Sequence, residues 1–102
     1  MIHVVAVITA KPGQRAQILE AFHANRAAVL AEAGCIEYTA TVDAEGMPAS
    51  KGTFGGDTFV VIEKWETLDA LKAHAVAPHM AAYGAKTREL TENRVIHVLS
   101  PI

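Results

Sequence analysis

The sequence predicts an α+β fold in the order β-α-β-β-α-β, with helices on one face of a four-stranded antiparallel sheet. Three observations carry the prediction. Four short runs are β-branched or alternate apolar with polar residues, as strands do. A long stretch after the first run, and shorter ones after the third, place apolar residues at helical spacing. Gly and Pro clusters punctuate the chain between these stretches.

Residues 2–9 are nearly all apolar and β-branched, which reads as a strand. Lys11-Pro12-Gly13 makes a turn. Across 14–33, Ile18, Leu19, Phe22, Val29 and Leu30 fall on one helical face, with Glu20, Asn25, Arg26 and Glu32 among the polar positions. Gly34 suits a left-handed cap at the end of this helix. Residues 35–42 alternate, with Ile36, Tyr38, Ala40 and Val42 facing one way. Residues 43–57 hold Gly46, Pro48, Gly52, Gly55 and Gly56 and form a long connection, either a lid over a pocket or a plain hairpin extension. Residues 58–65 give the third strand. Thr67 is placed to cap a helix containing Leu68, Leu71 and His74. Pro78 closes that helix and can open the next turn. A third helical stretch, 80–90, carries Tyr83. Residues 93–99 are the last strand, stopped by Ser100-Pro101. This order matches the ferredoxin-like, split β-α-β arrangement.

Composition narrows the function. At 102 residues the chain is expected to be one domain, and 51% apolar against 20% charged residues argues against disorder. A net charge of −2 without a basic stripe argues against nucleic acid and anionic lipid as partners. The start of the chain lacks a basic leader, and no apolar run reaches membrane length. Cys35 is alone and has no flanking Lys, Arg or His to stabilise a thiolate. It is expected to be a small, buried residue of a reduced, cytoplasmic protein.

The first, third and fourth strands do not alternate cleanly: 4–8, 59–62 and 95–99 are apolar almost throughout. A sheet with one wet face should alternate. The expectation is a two-fold homodimer in which a second sheet covers the face left bare by the helices, forming a barrel interface.

Chemistry concentrates between Glu63 and Met80. Here a strand ends in Trp65, a short helix carries His74, and Pro78 leads into His79. Such hand-overs between elements are frequent pocket sites. His74 is the first candidate base, since a free imidazole titrates near neutrality. Its structural alternative is a core-edge histidine bonded to a backbone carbonyl. His79 lies in the first turn after Pro78, placed to bind an anion or cap the helix. Trp65 can stack on an aromatic guest or simply pack the core. Phe22 is expected to line the space between long helix and sheet. Tyr38 and Tyr83 are candidate hydrogen-bond donors to an oxyanion. Glu63 reads as a structural carboxylate paired with Lys64, Arg88, Arg94 or a dimer mate. The expected site is a cavity in which the Trp65 indole and His74 imidazole flank a planar substrate.

Other motifs fail. His74 and His79 lack the spacing of a zinc helix, and no third ligand is evident, so no metal is expected. Ser50-Lys51-Gly52 has the wrong order for a phosphate loop, and no G-x-G-x-x-G follows a strand.

Lys11-Pro12-Gly13, Gly34-Cys35, Ile62-Glu63-Lys64-Trp65-Glu66, the His74-x-x-x-Pro78-His79-Met80 run and Leu99-x-Pro101 together resemble the antibiotic biosynthesis monooxygenase family, dimeric α/β-barrel proteins, and within it the bacterial quinol monooxygenases. The resemblance covers essentially the whole chain. It implies a cofactor-free oxygenase that uses O2 on a quinol or polyphenol-type aromatic, with His74 and His79 as catalytic residues and Trp65, Phe22, Tyr83 and Tyr38 around the substrate. Two other readings stay open. One is an isomerase or lyase acting on a small carbonyl compound, phosphorylated or not, as in the related autoinducer-2 processing enzymes. The other is a dimer that binds a small ligand without catalysis. The haem-degrading relatives need an Asn on the first strand, which here offers His3, Val5 and Val7 instead.

Overall fold

The computed structural model describes residues 1–48 and 51–102. Ser50, in the run weighed as a phosphate loop, and the centre of the 43–57 connection lie outside the described residues. The elements are β1 (Ile2–Ala10), α1 (Arg15–Leu30), β2 (Cys35–Thr41), β3 (Thr58–Trp65), α2 (Leu68–Ala75), α3 (Pro78–Thr87), a 3-10 turn (Arg88–Leu90) and β4 (Thr91–Leu99). The sheet runs β2-β3-β1-β4, antiparallel throughout. The architecture is the ferredoxin-like α+β fold, with the helices packed over one face.

Local chemistry explains the boundaries. Thr67 caps α2, its hydroxyl accepting from the Ala70 amide at 3.1 Å. Pro78 opens α3 at its first position, two residues before the predicted start, because the missing N–H costs nothing there. α1 stops at Leu30, short of the predicted 33, and a turn follows that carries Glu32. Gly34 has φ of +82°, the left-handed conformation a cap requires. A Cβ there would sit 2.7 Å from the Ala70 Cβ, so Gly34 also lets α2 approach closely. The Gly34 carbonyl accepts from the Glu66 amide at 2.8 Å, tying the turn to the end of β3.

The core lies between helices and sheet. Val4, Ala6, Ile8 and Ala10 of β1 point into it, with Phe59, Val61 and Trp65 of β3, Tyr38 of β2, and Ile18, Phe22 and Val29 of α1. One predicted alternation breaks. The β2–β3 register shifts between Cys35 and Glu37, so Cys35 and Tyr38 both pack on the core while Ile36 is exposed. A bulge adds one residue and so reverses the facing of everything before it. The Cys35 thiol is only half-buried. Burial, and then the nearby Glu32 and Glu63, push its pKa up, so it stays a thiol.

β4 differs from its neighbours. After Thr91 the strand is exposed on both faces, including Val95, Ile96, Val98 and Leu99. His3 and His97 both lie toward the uncovered face, opposite Leu99 and Val5 respectively. Among the described residues, no helix is long and apolar enough to cross a membrane.

Candidate active site

The C-terminal end of β3 and the turn after α1 bring the predicted aromatic and imidazole groups together. Trp65 is fully buried and its indole lies against the His74 imidazole, with ring centroids 4.7 Å apart. Tyr38 meets the same imidazole edge-on at 5.5 Å and stacks on Phe22 at 4.9 Å. Phe59 closes the row against Phe22. His74 points inward because it falls one turn after Ala70 and Leu71, which pack on the core. One expectation fails on geometry. Rings 4.7 Å apart already touch, so no planar guest lies between Trp65 and His74 in this packing.

Two carboxylates serve this cluster. Glu63 accepts from Trp65 Nε1–H at 3.0 Å. Its partner is therefore an indole and not the cations expected for it, and Lys64 pairs instead with Glu37 at 3.3 Å. Burial pushes the Glu63 pKa up, opposed by the indole hydrogen bond and by His74. The second carboxylate, Glu32, is the one that sequence reasoning missed. Its Oε2 lies 2.8 Å from His74 Nδ1 and 2.7 Å from His79 Nε2. Glu32 looked like one polar helix position among several. A signal existed, since an acidic side chain at a helix C-terminus opposes the helix dipole and needs compensation.

Tyr83 sits elsewhere, on the wall of a cleft of about 410 Å³ between α3 and β4, with Ile8, Ile18, Arg88 and Arg94 among the other lining residues. That volume suits a small-molecule site. Burial pushes the Tyr83 phenol up to about 12, with Arg94 partly offsetting the rise. Tyr38 is raised further, first by burial and then by Glu63 and Tyr83. Both phenols are therefore hydrogen-bond donors at neutral pH, not phenolates. Among the described residues no buried side-chain polar atom lacks a hydrogen-bond partner, and no group of three acidic, His or Cys side chains is set to hold a metal.

The structure thus joins Trp65, His74, His79, Tyr38 and Phe22, and sets Tyr83 on the wall of a separate cleft. Comparison with known proteins agrees with this architecture. Residues 1–86 match the family model described as antibiotic biosynthesis monooxygenase. The chain is 36% identical over 104 residues to "Probable quinol monooxygenase YgiN" of Escherichia coli K12, covering 99% of this chain and 98% of that protein. The fold is similar to the crystal structure of PA3566 from Pseudomonas aeruginosa, with a TM-score of 0.80 and 27% identity over 99% of this chain and 93% of the other. Rv0793 from Mycobacterium tuberculosis gives the same TM-score at 25% identity, over 99% of this chain and 94% of that one. With a family match across most of its length and a full-length relative, the chain belongs to the antibiotic biosynthesis monooxygenase family.

Proposed function

We propose that this protein oxidises a quinol or polyphenol-type aromatic with O2, using no cofactor. One observation carries the reading: a buried imidazole, tethered to a carboxylate, sits inside a row of aromatic rings, and Tyr83, which packs against the same core, walls a cleft of substrate size. The family, and the printed name of the Escherichia coli relative, support the same reaction class.

The chemistry asks little of the protein. Ground-state O2 is a triplet and reacts slowly with a closed-shell quinol. A deprotonated quinol is a far better one-electron donor. A base that takes the phenolic proton, and a site that keeps water away, are enough to start the reaction. The quinol then supplies four electrons; one oxygen atom enters the ring and the other leaves as water. In this reading His74 is the base and the substrate enters the cleft of Ile8, Ile18 and Arg94. Tyr83 lines that cleft and packs against the core that holds Tyr38.

The bare strand belongs to the same reading. A second copy laid over the uncovered sheet face shelters β4 and closes the barrel, so the working unit is a homodimer.

An oxygen electrode with a panel of hydroquinones and naphthols tests the proposal. Protein-dependent O2 uptake, lowered about a hundredfold or more by His74→Ala, is the expected result. No uptake with any member would sink it. A second reading rests on the pair of imidazoles sharing Glu32, which is proton-transfer machinery that needs no oxygen. Turnover of a small carbonyl compound, unchanged under argon, would favour that isomerase or lyase instead.

A further inference from the structure

We propose that Glu32 is the positioning residue of the site: one of its oxygens holds both imidazoles and fixes which nitrogen of His74 is free to take a proton. The inference rests on the reading of His74 as base.

The geometry is specific. Three side chains from three separate segments meet at a single atom, Glu32 Oε2. His74 approaches from α2 and His79 from the first turn of α3. The Glu32 side chain is 13% exposed, His74 7% and His79 29%, so the contact runs from the interior toward the surface. The backbone at Glu32 is held on both sides: its amide donates to the Val29 carbonyl at 3.0 Å, and its carbonyl accepts from Cys35 at 3.2 Å. The carboxylate therefore sits on a fixed turn, while the two histidines sit on separate helices.

A carboxylate can only accept. Both ring nitrogens at Oε2 must then carry hydrogen. Neutral His74 is held with its proton on Nδ1, leaving Nε2 as the basic nitrogen. Neutral His79 is held the opposite way, with its proton on Nε2 and Nδ1 free. When a quinol O–H breaks, its proton goes to His74 Nε2 and the electron pair stays on the substrate oxygen. The imidazolium that results faces the Glu32 charge across a hydrogen bond of 2.8 Å, a charge-assisted contact stronger than the neutral one it replaces. Glu32 thus favours the proton-transferred state over the resting state, and that difference is what lowers a barrier. It also blocks the alternative tautomer, in which His74 would present N–H where a lone pair is needed.

Glu32→Gln separates this role from packing. The carboxamide has nearly the same shape, and its oxygen, set where Oε2 lies, still accepts from both imidazoles, but it carries no charge. Nitrogen-15 NMR of the neutral protein, with the two histidines assigned, is expected to show Nδ1–H on His74 and Nε2–H on His79. Glu32→Leu, which has no acceptor, is expected to lose the fixed tautomer at one or both histidines, whereas Glu32→Gln keeps the tautomers and loses the charge. In the oxygen-uptake assay Glu32→Gln is expected to lose about tenfold or more in kcat with KM changed less than about twofold, the pattern of a lost transition-state interaction. Glu32→Asp, one methylene shorter, is expected to keep the charge yet reach only one imidazole, and so to recover part of kcat. Wild-type protein with either histidine in the other tautomer would overturn the assignment, as would a Glu32→Gln variant with wild-type kcat. Failure of the wild type to consume oxygen would sink the function above, while the tautomers would still decide the role of Glu32.

Discussion

Two pairs of neighbouring residues on one face of the sheet meet opposite environments. Val4 is 1% exposed and its cross-strand partner Val98 50%; Ala6 is 4% exposed and its partner Ile96 51%. The residues are alike, they share a ladder, and they point the same way. The difference is reach. The three helices extend over β2, β3 and β1 and stop before β4. On the covered side, every buried polar side-chain atom among the described residues is paired, the rings interlock, and two carboxylates are held among aromatic neighbours. On the β4 side, apolar side chains wait in solvent. An apolar strand next to a finished core is an unfinished surface, which is why the homodimer is part of the proposed function.

That contrast can be broken from either side. The largest effect is expected at Trp65. Trp65→Ala removes a fully buried ring and the hydrogen-bond donor of Glu63, and should cost about 3–5 kcal/mol in denaturant unfolding. A loss below ~1 kcal/mol would mean the ring cluster is far looser than described.

Next comes the turn that locks α2 onto the sheet. Gly34→Ala combines a positive φ with a Cβ-to-Cβ approach of 2.7 Å to Ala70, and is expected to destabilise by roughly 1–3 kcal/mol. Because the same turn carries Glu32, the variant should also weaken quinol turnover more than its loss of stability alone explains.

On the uncovered sheet face, Val95→Lys, opposite Val7, changes no packed core. Its expected effect on monomer stability is within about 0.5 kcal/mol, but sedimentation should show the proposed dimer dissociating. A wild type that sediments as a monomer at low micromolar concentration would remove the dimer and leave β4 without an account.

The smallest effect concerns Glu63. Burial raises its pKa in the folded state above the unfolded value, so the protonated form is favoured by folding. Its contribution is full below the unfolded carboxylate range and is lost as pH rises through the folded pKa. Glu63→Gln keeps an acceptor for the indole and removes the charge. The variant should melt higher than wild type at neutral pH, and the gap should close as the pH falls into the carboxylate range. A gap independent of pH would contradict the burial argument.

Much of this was legible in the sequence. The elements and their order follow from local rules: β-branched runs, helical spacing around Phe22, the Thr67 cap, the glycine at 34 and Pro78. The gathering of Trp65, His74 and His79 was legible too, because they are close along the chain and a strand must hand over to a helix there. Misreadings came where two distant segments meet. Ile36 changed face through a bulge that only pairing with β3 defines. Glu63 found an indole two residues away, where Lys64, Arg88, Arg94 or a dimer mate was expected. Tyr83 went to the cleft because α3 bounds it on one side and β4 on the other, a spacing no periodicity encodes.

Glu32 marks the boundary. Forty-two residues separate it from His74 and forty-seven from His79. Sequence fixes backbone preference and which residues seek burial, since both depend on the residue and its near neighbours. Tertiary packing alone decided that one carboxylate oxygen would meet two imidazoles and that the helices would fall short of β4. Those outcomes depend on the angles at which whole elements pack, and each angle sums contributions from side chains scattered along the entire chain.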